Sequence, residues 1–271
     1  MLKSSYRSSH KQSRFLVFRL PHLPMFFIAA LMIISLLGIR SWAEVEPTMT
    51  PALFGQSIVI DAGHGGYDPG VVGEQSVEKD INLAIAKALA EYCRSAGANV
   101  SMTRQSDTAL GDSKTEDLSQ RVALCEQAQA DVFISLHCNS YVNSPSQHGA
   151  QIFYQSGNDK SRLLAESVQA QIAQQLANTD RSALTHPNSY LLKNIPCAAV
   201  ICEMGFLSNN SEEDLLNSSD YQWDLAWSIF CGLADYLWNY PRVMCIFWFV
   251  FAMALAGTKV CAAQKDLDIT K

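Results

Sequence analysis

The stretch SIVIDAGHGG, residues 57–66, decides the predicted fold. The β-branched residues from Ile58 to Ile60 are typical of a buried strand. Downstream, apolar residues recur at helical spacing from Ile81 to Tyr92, and Gly97 stops the helix. The segment NVSMT, residues 99–103, follows as a second strand. A strand, a helix and another strand in succession indicate parallel pairing.

The same alternation continues along the chain. Ser113 and Glu116 form a capping box ahead of an amphipathic helix, another helix covers about residues 159–177, and a closing helix ends at Leu237. Three further strand segments are DVFISLH at 131–137, GAQIFY at 149–154 and AAVICE at 198–203. We therefore predict a single α/β domain over residues 57–240, with a mostly parallel, twisted sheet flanked by helices on both faces.

The N-terminal segment predicts export from the cytoplasm. Basic residues lead into MFFIAALMIISLLGI, residues 25–39, which carries no charge. Because the positive end stays in the cytoplasm, the rest of the chain is expected outside. The apolar run suits a cleaved signal peptide, and its extension upstream to Phe15 suits an uncleaved membrane anchor, so both interpretations stay open. Residues 1–43 are assigned to this segment and residues 44–56 to a linker.

A second apolar run, VMCIFWFVFAMALAG, occupies residues 243–257. Its length is borderline for crossing a hydrocarbon layer of ~30 Å. It is either a second anchor or a segment that imitates a signal peptide, and the sequence leaves the role of residues 241–271 open.

Charge and cysteine content exclude two classes of function. The net charge is −6, and no stripe of basic and aromatic residues follows residue 20, so nucleic acid is not an expected partner. None of the 8 cysteines forms a CxxC pair typical of a structural zinc or redox site. Most of them, including Cys138 and Cys202, are expected to be small buried core residues.

Four residues with metal and acid–base chemistry lie where ligands bind in open α/β sheets, at the carboxyl ends of strands. His64, His137 and Glu203 each follow or end a predicted strand, and Glu78 lies in the loop just before the first helix. Two imidazoles and one carboxylate form a catalytic zinc site with an open position for water. We assign His64, Glu78 and His137 to one Zn²⁺ per chain, and Glu203 to proton transfer.

Each of these residues also has a purely structural interpretation. His64 alone is compatible with a hydrogen-bonded loop residue, and Glu78 with a favourable charge near a helix N-terminus. Glu203 is compatible with a solvated strand end. His148 and His186 lie in polar segments and are expected on the surface. Spacing alone therefore predicts a metal site but no substrate.

Four ordered motifs resemble one family, the zinc-dependent N-acetylmuramoyl-L-alanine amidases of the third amidase type. They are IVIDAGHGGYDPGVVG at 58–73, VEKDINLA at 77–84, DVFISLHCNS at 131–140 and CEMGFLSNNSEEDLL at 202–216. The resemblance places the family's metal ligands on His64, Glu78 and His137, and its catalytic glutamate on Glu203. It implies that the substrate is the amide between muramic acid and the L-alanine of the peptidoglycan stem peptide.

Within this family, the chain looks most like the germination-specific spore-cortex amidases, which take part in muramic δ-lactam formation. The resemblance implies a protein outside the cytoplasm, membrane-anchored through the N-terminal segment or secreted to the cell wall of a spore-forming bacterium. Ala62, Cys138 and the C-terminal apolar run depart from the family pattern, but none of them is a proposed site residue.

Residues 139–198 are largely used by a strand and a long helix, so we expect no additional helix that blocks the metal, while a separate activator protein remains an option. Two alternatives stay open: another zinc-dependent cell-wall peptidase or deacetylase, and a catalytically silent wall-binding protein.

Overall fold

The computed structural model describes residues 53–239, and the first predicted strand is present as β1. The strands are β1 Ser57–Ala62, β2 Asn99–Met102, β3 Val132–Asn139, β4 Gln151–Tyr154, β5 Leu184–Thr185 and β6 Ala198–Phe206. The helices are α1 Glu78–Ser95, α2 Lys114–Gln127, α3 Asp159–Leu176, α4 Tyr190–Asn194, α5 Asn210–Asn217 and α6, residues 219–239.

The six strands form one sheet in the order β2-β1-β3-β6-β4-β5. Strands β2, β1, β3 and β6 are mutually parallel, whereas β4 is antiparallel to β6 and β5 is parallel to β4. The predicted mostly parallel α/β sheet is confirmed. Because β1, β3 and β6 are parallel neighbours, their carboxyl ends lie at one edge of the sheet.

Apolar side chains pack on both faces of the sheet. In β1, Ile58 and Ile60 belong to the larger core cluster with α1, α3 and α6, and Val59 between them belongs to the smaller cluster with α2 and α4. This division follows from the alternation of side chains along a strand. Helices therefore cover both faces of the sheet, as the sequence predicted.

Local signals locate the long helices well. The Ser113 hydroxyl accepts from the Glu116 N–H at 3.3 Å, as the capping box predicts. The C-cap residue of α3, Ala177, adopts a left-handed conformation with φ of 49°. One boundary was wrong, because Glu78 is the first residue of α1 and not part of the loop before it. The Val77 carbonyl accepts from Asp80 at 3.0 Å and so starts the helix one turn earlier.

Three short elements, β5, α4 and α5, were not predicted, because each is too short for a periodic pattern. The five-residue helix α4 lies within residues 139–198, where the sequence predicted no additional helix that blocks the metal. Its residues Leu191 and Leu192 are buried in the smaller core cluster, between α2 and β6.

The predicted membrane segments, residues 1–43 and 241–271, lie outside the described part of the chain. Between residues 53 and 239, no helix combines the length and the apolar character needed to cross a membrane. Leu53, in the segment predicted as a linker, is buried, and its N–H donates to the Ala96 carbonyl at 3.0 Å. The six cysteines of the described range are free thiols; Cys138 and Cys202 are buried, as expected.

Candidate metal centre

The loop after β1 places His64 in an unusual backbone conformation. His64 has a φ of 63°, in the left-handed region that residues with a Cβ rarely occupy. Gly65 and Gly66 follow with φ of 128° and 58°, which glycine adopts without steric cost. The chain therefore turns sharply at the end of β1, and the imidazole of His64 reaches the edge of the sheet.

Two buried arginines hold this turn by its carbonyl oxygens. Arg104 donates to the Ala62 carbonyl at 2.9 Å and to the Gly63 carbonyl at 3.0 Å. Arg121 donates to the Ala62 carbonyl at 3.0 Å and to the His64 carbonyl at 2.8 Å. Since a strained conformation persists only where its surroundings enforce it, these contacts account for the backbone of His64.

The charge of Arg121 is balanced inside the protein. Its guanidinium contacts the carboxylates of Asp61 and, at 2.6 Å, Asp117. Asp61 is fully buried and also accepts from Ser135 at 2.6 Å and from Thr103 at 2.8 Å. Burial raises the pKa of Asp61, but Arg121 and these hydrogen bonds outweigh it, so the pKa of this carboxyl is below its usual value.

Glu78 is oriented by backbone and side-chain donors. Its Oε2 accepts from the Val71 N–H at 2.8 Å, and its Oε1 accepts from the Cys138 N–H at 3.0 Å and from Asn82 at 3.2 Å. The residue is 2% exposed. A carboxylate held by three donors has little freedom to rotate, so Oε1 has a fixed position next to β3.

The structure brings His64, Glu78 and His137 together. Glu78 Oε1 lies 3.2 Å from His64 Nε2 and 3.0 Å from His137 Nδ1, and the two ring nitrogens are 3.2 Å apart. Tetrahedral ligands at about 2.0–2.1 Å from a zinc ion are roughly 3.3 Å from one another. The three donor atoms therefore have the chemistry and nearly the spacing of one face of a zinc tetrahedron, and they fit such an ion.

Neighbouring charges act on these groups. Burial lowers the pKa of His64, but its contacts with Glu78 and Asp68 outweigh burial and raise the pKa above the usual value. Burial raises the pKa of Glu78, but His137 and His64 outweigh burial and lower it well below the usual range. Glu78 is thus ionised beside the two imidazoles, and a carboxylate with neutral imidazoles is a donor set that suits a divalent cation.

Glu203 lies beside this cluster on the next strand. It pairs with His137 in the register of β6 on β3. Its Oε2 is buried and has no hydrogen-bond partner within residues 53–239. Burial, supported by the charge of Glu78, raises the pKa of Glu203 despite the opposing effect of His137. A buried carboxylate oxygen without a partner requires an explanation, and a role toward a bound molecule supplies one.

The sequence analysis missed the residues that position the centre, and Asp68 and Arg121 are two examples. Asp68 Oδ2 lies 2.9 Å from His64 Nδ1, the ring nitrogen that faces away from Glu78. Arg121 carried a usable signal, because it falls between Leu118 and Cys125 on the apolar face of its helix. A charged residue at such a position is buried only with a partner. His148 and His186 are exposed, as predicted.

Known proteins similar to this chain include the germination-specific N-acetylmuramoyl-L-alanine amidase of Bacillus subtilis. It is 38% identical over 204 residues, which cover 72% of this chain and 84% of the relative. The N-acetylmuramoyl-L-alanine amidase LytC of the same organism is 33% identical over 71% of this chain and 38% of its own length. The resemblance predicted from the four motifs is confirmed.

Solved structures with the same fold include the CwlD amidase of Clostridioides difficile in complex with the GerS lipoprotein. It is 34% identical and matches with a TM-score of 0.65 over 67% of this chain and 98% of that chain. The catalytic domain of CwlV from Bacillus (Paenibacillus) polymyxa var. colistinus is also 34% identical, with a TM-score of 0.61 over 67% and 98% of the two chains. Residues 58–235 match the N-acetylmuramoyl-L-alanine amidase family, and the chain therefore belongs to this family of cell-wall amidases.

Proposed function

We propose that this protein hydrolyses the amide between N-acetylmuramic acid and the L-alanine of the peptidoglycan stem peptide, with one Zn²⁺ held by His64, Glu78 and His137. The observation that carries the proposal is the convergence of three donor atoms within 3.0–3.2 Å of one another, beside Glu203, whose buried Oε2 has no partner within residues 53–239. Such a zinc ion, when bound, polarises the amide carbonyl and lowers the pKa of a coordinated water to about 7.

Glu203 is the proposed general base and acid. Its position on β6, in register with His137, puts its side chain on the same face of the sheet as the donor cluster and next to it. Glu203 accepts a proton from the attacking water and then delivers it to the nitrogen of alanine as the C–N bond breaks. Because Oε2 has no partner within residues 53–239, no internal hydrogen bond has to break first.

The neighbours of the donor cluster keep it in place. Asp68, 2.9 Å from His64 Nδ1, favours the tautomer with the proton on Nδ1, so that Nε2 carries the free lone pair. The backbone N–H of Cys138 and the side chain of Asn82 fix Glu78 Oε1. Metal ligands oriented in this way need little rearrangement when the ion binds.

The biological setting is part of the same proposal. We place the protein outside the cytoplasm, at the cell wall of a spore-forming bacterium, anchored or exported by residues 1–43. We assign it to muramic δ-lactam formation in the spore cortex or to germination. A germination-specific relative in Bacillus subtilis supports this setting, and the CwlD–GerS complex of Clostridioides difficile supports an activator protein as a partner.

The test uses the full-length chain and peptide-bearing muropeptides, with mass spectrometry of the products and determination of bound zinc. Glu203→Gln is expected to keep one zinc per chain and to lose activity by about 100-fold or more, since acid–base catalysis contributes at least that much. His137→Ala is expected to lose both zinc and activity. Glu91→Gln and His186→Ala alter exposed residues of the same types and are the matched controls.

The product masses separate the alternatives. Release of a peptide with a free L-alanine N-terminus supports the amidase. Loss of an acetyl group indicates a deacetylase, and cleavage within the peptide indicates a peptidase. Substrate that binds and stays intact, with and without candidate activators, indicates a silent wall-binding protein. Near-wild-type activity of Glu203→Gln would falsify the assignment of the general base.

A further inference from the structure

His137 and Glu203 lie side by side on neighbouring strands, and this row of side chains continues onto a third strand. Glu203 of β6 pairs with His137 of β3 on one side and with Gln151 of β4 on the other. Residues directly paired across neighbouring strands have their side chains on the same face of the sheet. Gln151 therefore lies on the face of the donor cluster, and its Oε1 accepts from Arg181 Nη1 at 3.3 Å.

Arg181 is held rigidly at the end of this row. Its Nε donates to the His148 carbonyl at 2.8 Å, and its Nη2 donates to Gln147 Oε1 at 2.7 Å. The guanidinium carbon lies 4.9 Å from the centroid of the Phe206 ring. With the contact to Gln151, these bonds use three of the five N–H groups of an arginine, so donors on Nη1 and Nη2 are left for a ligand.

No carboxylate neutralises Arg181 in the described range. The ion pairs within residues 53–239 do not include it. Burial raises the pKa of Glu212, and the charge of Arg181 is a smaller, opposing influence on it. The oxygens of Glu212 accept instead from the backbone N–H of Gly149 at 2.9 Å and of Phe206 at 2.8 Å.

One cleft includes His137 of this row, and a second cleft includes Arg181, which contacts Gln151 at the end of the row. The two clefts differ in how their cations are paired. The cleft that includes His64 and His137 contains Arg121, which contacts two carboxylates, and Lys114, which lies 3.8 Å from Asp68. The other cleft is open, with a volume of about 370 Å³, and is lined by Asn139, Tyr141, Gln147, Arg181 and Phe206. Arg181, which has no carboxylate partner within residues 53–239, thus lines the open cleft.

We propose that Arg181 binds a carboxylate of the stem peptide, on the residue that follows the scissile alanine. This inference rests on the proposed amidase function. Because strands are about 4.8 Å apart, the Cα of Gln151 lies roughly 10 Å from that of His137. A chain advances about 3.3–3.6 Å per residue, so that carboxylate lies about 7 Å from the scissile nitrogen. The scissile nitrogen is placed by Glu203, whose Cα is one strand, about 5 Å, from that of Gln151. A carboxylate about 7 Å further along the peptide therefore reaches the guanidinium that is bonded to Gln151.

The chemistry selects this ligand. A guanidinium with two free N–H groups on different nitrogens matches the two oxygens of a carboxylate. Near the scissile bond, the glycan side offers hydroxyl and acetamido groups, whereas the peptide offers carboxylates. The open cleft is therefore the peptide side of the site, and Arg181 selects peptides with a free carboxylate at that position.

Two muramoyl peptides test this inference: one carries a free α-carboxylate on the residue after alanine, and the other carries the carboxamide. For the full-length, zinc-loaded chain, kcat/KM is expected to be about 10- to 100-fold higher for the carboxylate, typical of one charge-assisted bond. Arg181→Gln should abolish this preference, so that the ratio of the two kcat/KM values falls to about one. Because both substrates are compared with the same protein, the ratio does not depend on the fraction of the variant that is folded.

Arg162→Gln is the matched control, because Arg162 is already paired with Glu166 on the surface of α3. The inference is overturned if Arg181→Gln lowers both substrates equally, or if the preference for the carboxylate survives. If the wild type cleaves neither peptide, with and without candidate activators, the proposed function fails, and calorimetry of peptide binding then tests the inference separately. Binding of the carboxylate peptide that is lost in Arg181→Gln then supports it, and equal binding by both proteins refutes it.

Discussion

Replacing Arg121 by methionine tests whether the turn that carries His64 depends on a buried ion pair. The side chain is 2% exposed, and its loss leaves the fully buried Asp61 with only its two hydroxyl donors. Removing one partner of a buried pair costs about 3–5 kcal/mol, because the remaining charge stays without compensation. In a domain of this size, each kcal/mol of lost stability lowers Tm by about 2–4 °C, so the expected decrease in Tm is roughly 6–20 °C.

The assay is urea unfolding of the wild type, of Arg121→Met, of Asp61→Asn and of the double variant. Asp61→Asn removes the carboxylate charge that Arg121→Met leaves without a partner. The loss of unfolding free energy in the double variant should therefore be smaller than the sum of the losses in the two single variants, by about 1–3 kcal/mol. Arg121→Met should also bind zinc more weakly, because the His64 carbonyl loses its donor. A loss of stability below about 1 kcal/mol, or strictly additive effects, would refute the reasoning.

The pH dependence gives an independent check. In the wild type, the pKa of Asp61 is lowered, since Arg121 and the hydrogen bonds outweigh burial. Its contribution is therefore present above the unfolded pKa of about 3.9 and is lost as the pH falls through the folded pKa. In Arg121→Met, burial acts without the cation and raises the pKa of Asp61. The difference in unfolding free energy between the two proteins should therefore shrink as the pH is lowered from 7 towards 4.

Two further substitutions act on the donor cluster itself. A Cβ at Gly63 would overlap the His137 ring, so Gly63→Ala should displace that ligand and abolish zinc binding, as measured by metal content after gel filtration. Full zinc occupancy in a folded Gly63→Ala protein would contradict the geometry. Asp68→Asn should weaken zinc affinity by about 10- to 100-fold in competition with a chelator, because His64 loses the carboxylate that orients it. An unchanged affinity would show that Asp68 does not orient the imidazole.

Much of the fold is predictable because its signals are local. The β-branched run of β1, the helical spacing of α1 and the capping box at Ser113 each depend on residues a few positions apart. Elements that depend on distant partners were not predictable. Strand β4 runs antiparallel to β6, and nothing in its sequence distinguishes it from a parallel strand. The helix α4 is stable only because Leu191 and Leu192 pack between α2 and β6.

The candidate site shows the same division. His64, His137 and Glu203 were predicted because parallel strands end at one edge of a sheet, so separate positions in sequence meet there. The contacts that position them were not predicted, because Asp61 and Arg121 are 60 residues apart and meet only after folding.

The sequence by itself determined the α/β class and the family, and it predicted the four candidate site residues. Strand and helix periodicity and short motifs depend only on neighbouring residues. Only the tertiary structure decided three other things: the left-handed conformation of His64, the donor spacing of 3.0–3.2 Å, and the separation of paired from unpaired cations around the site. The physical reason is that each depends on distances between groups far apart in the chain, and these distances are set by the packing of strands and helices.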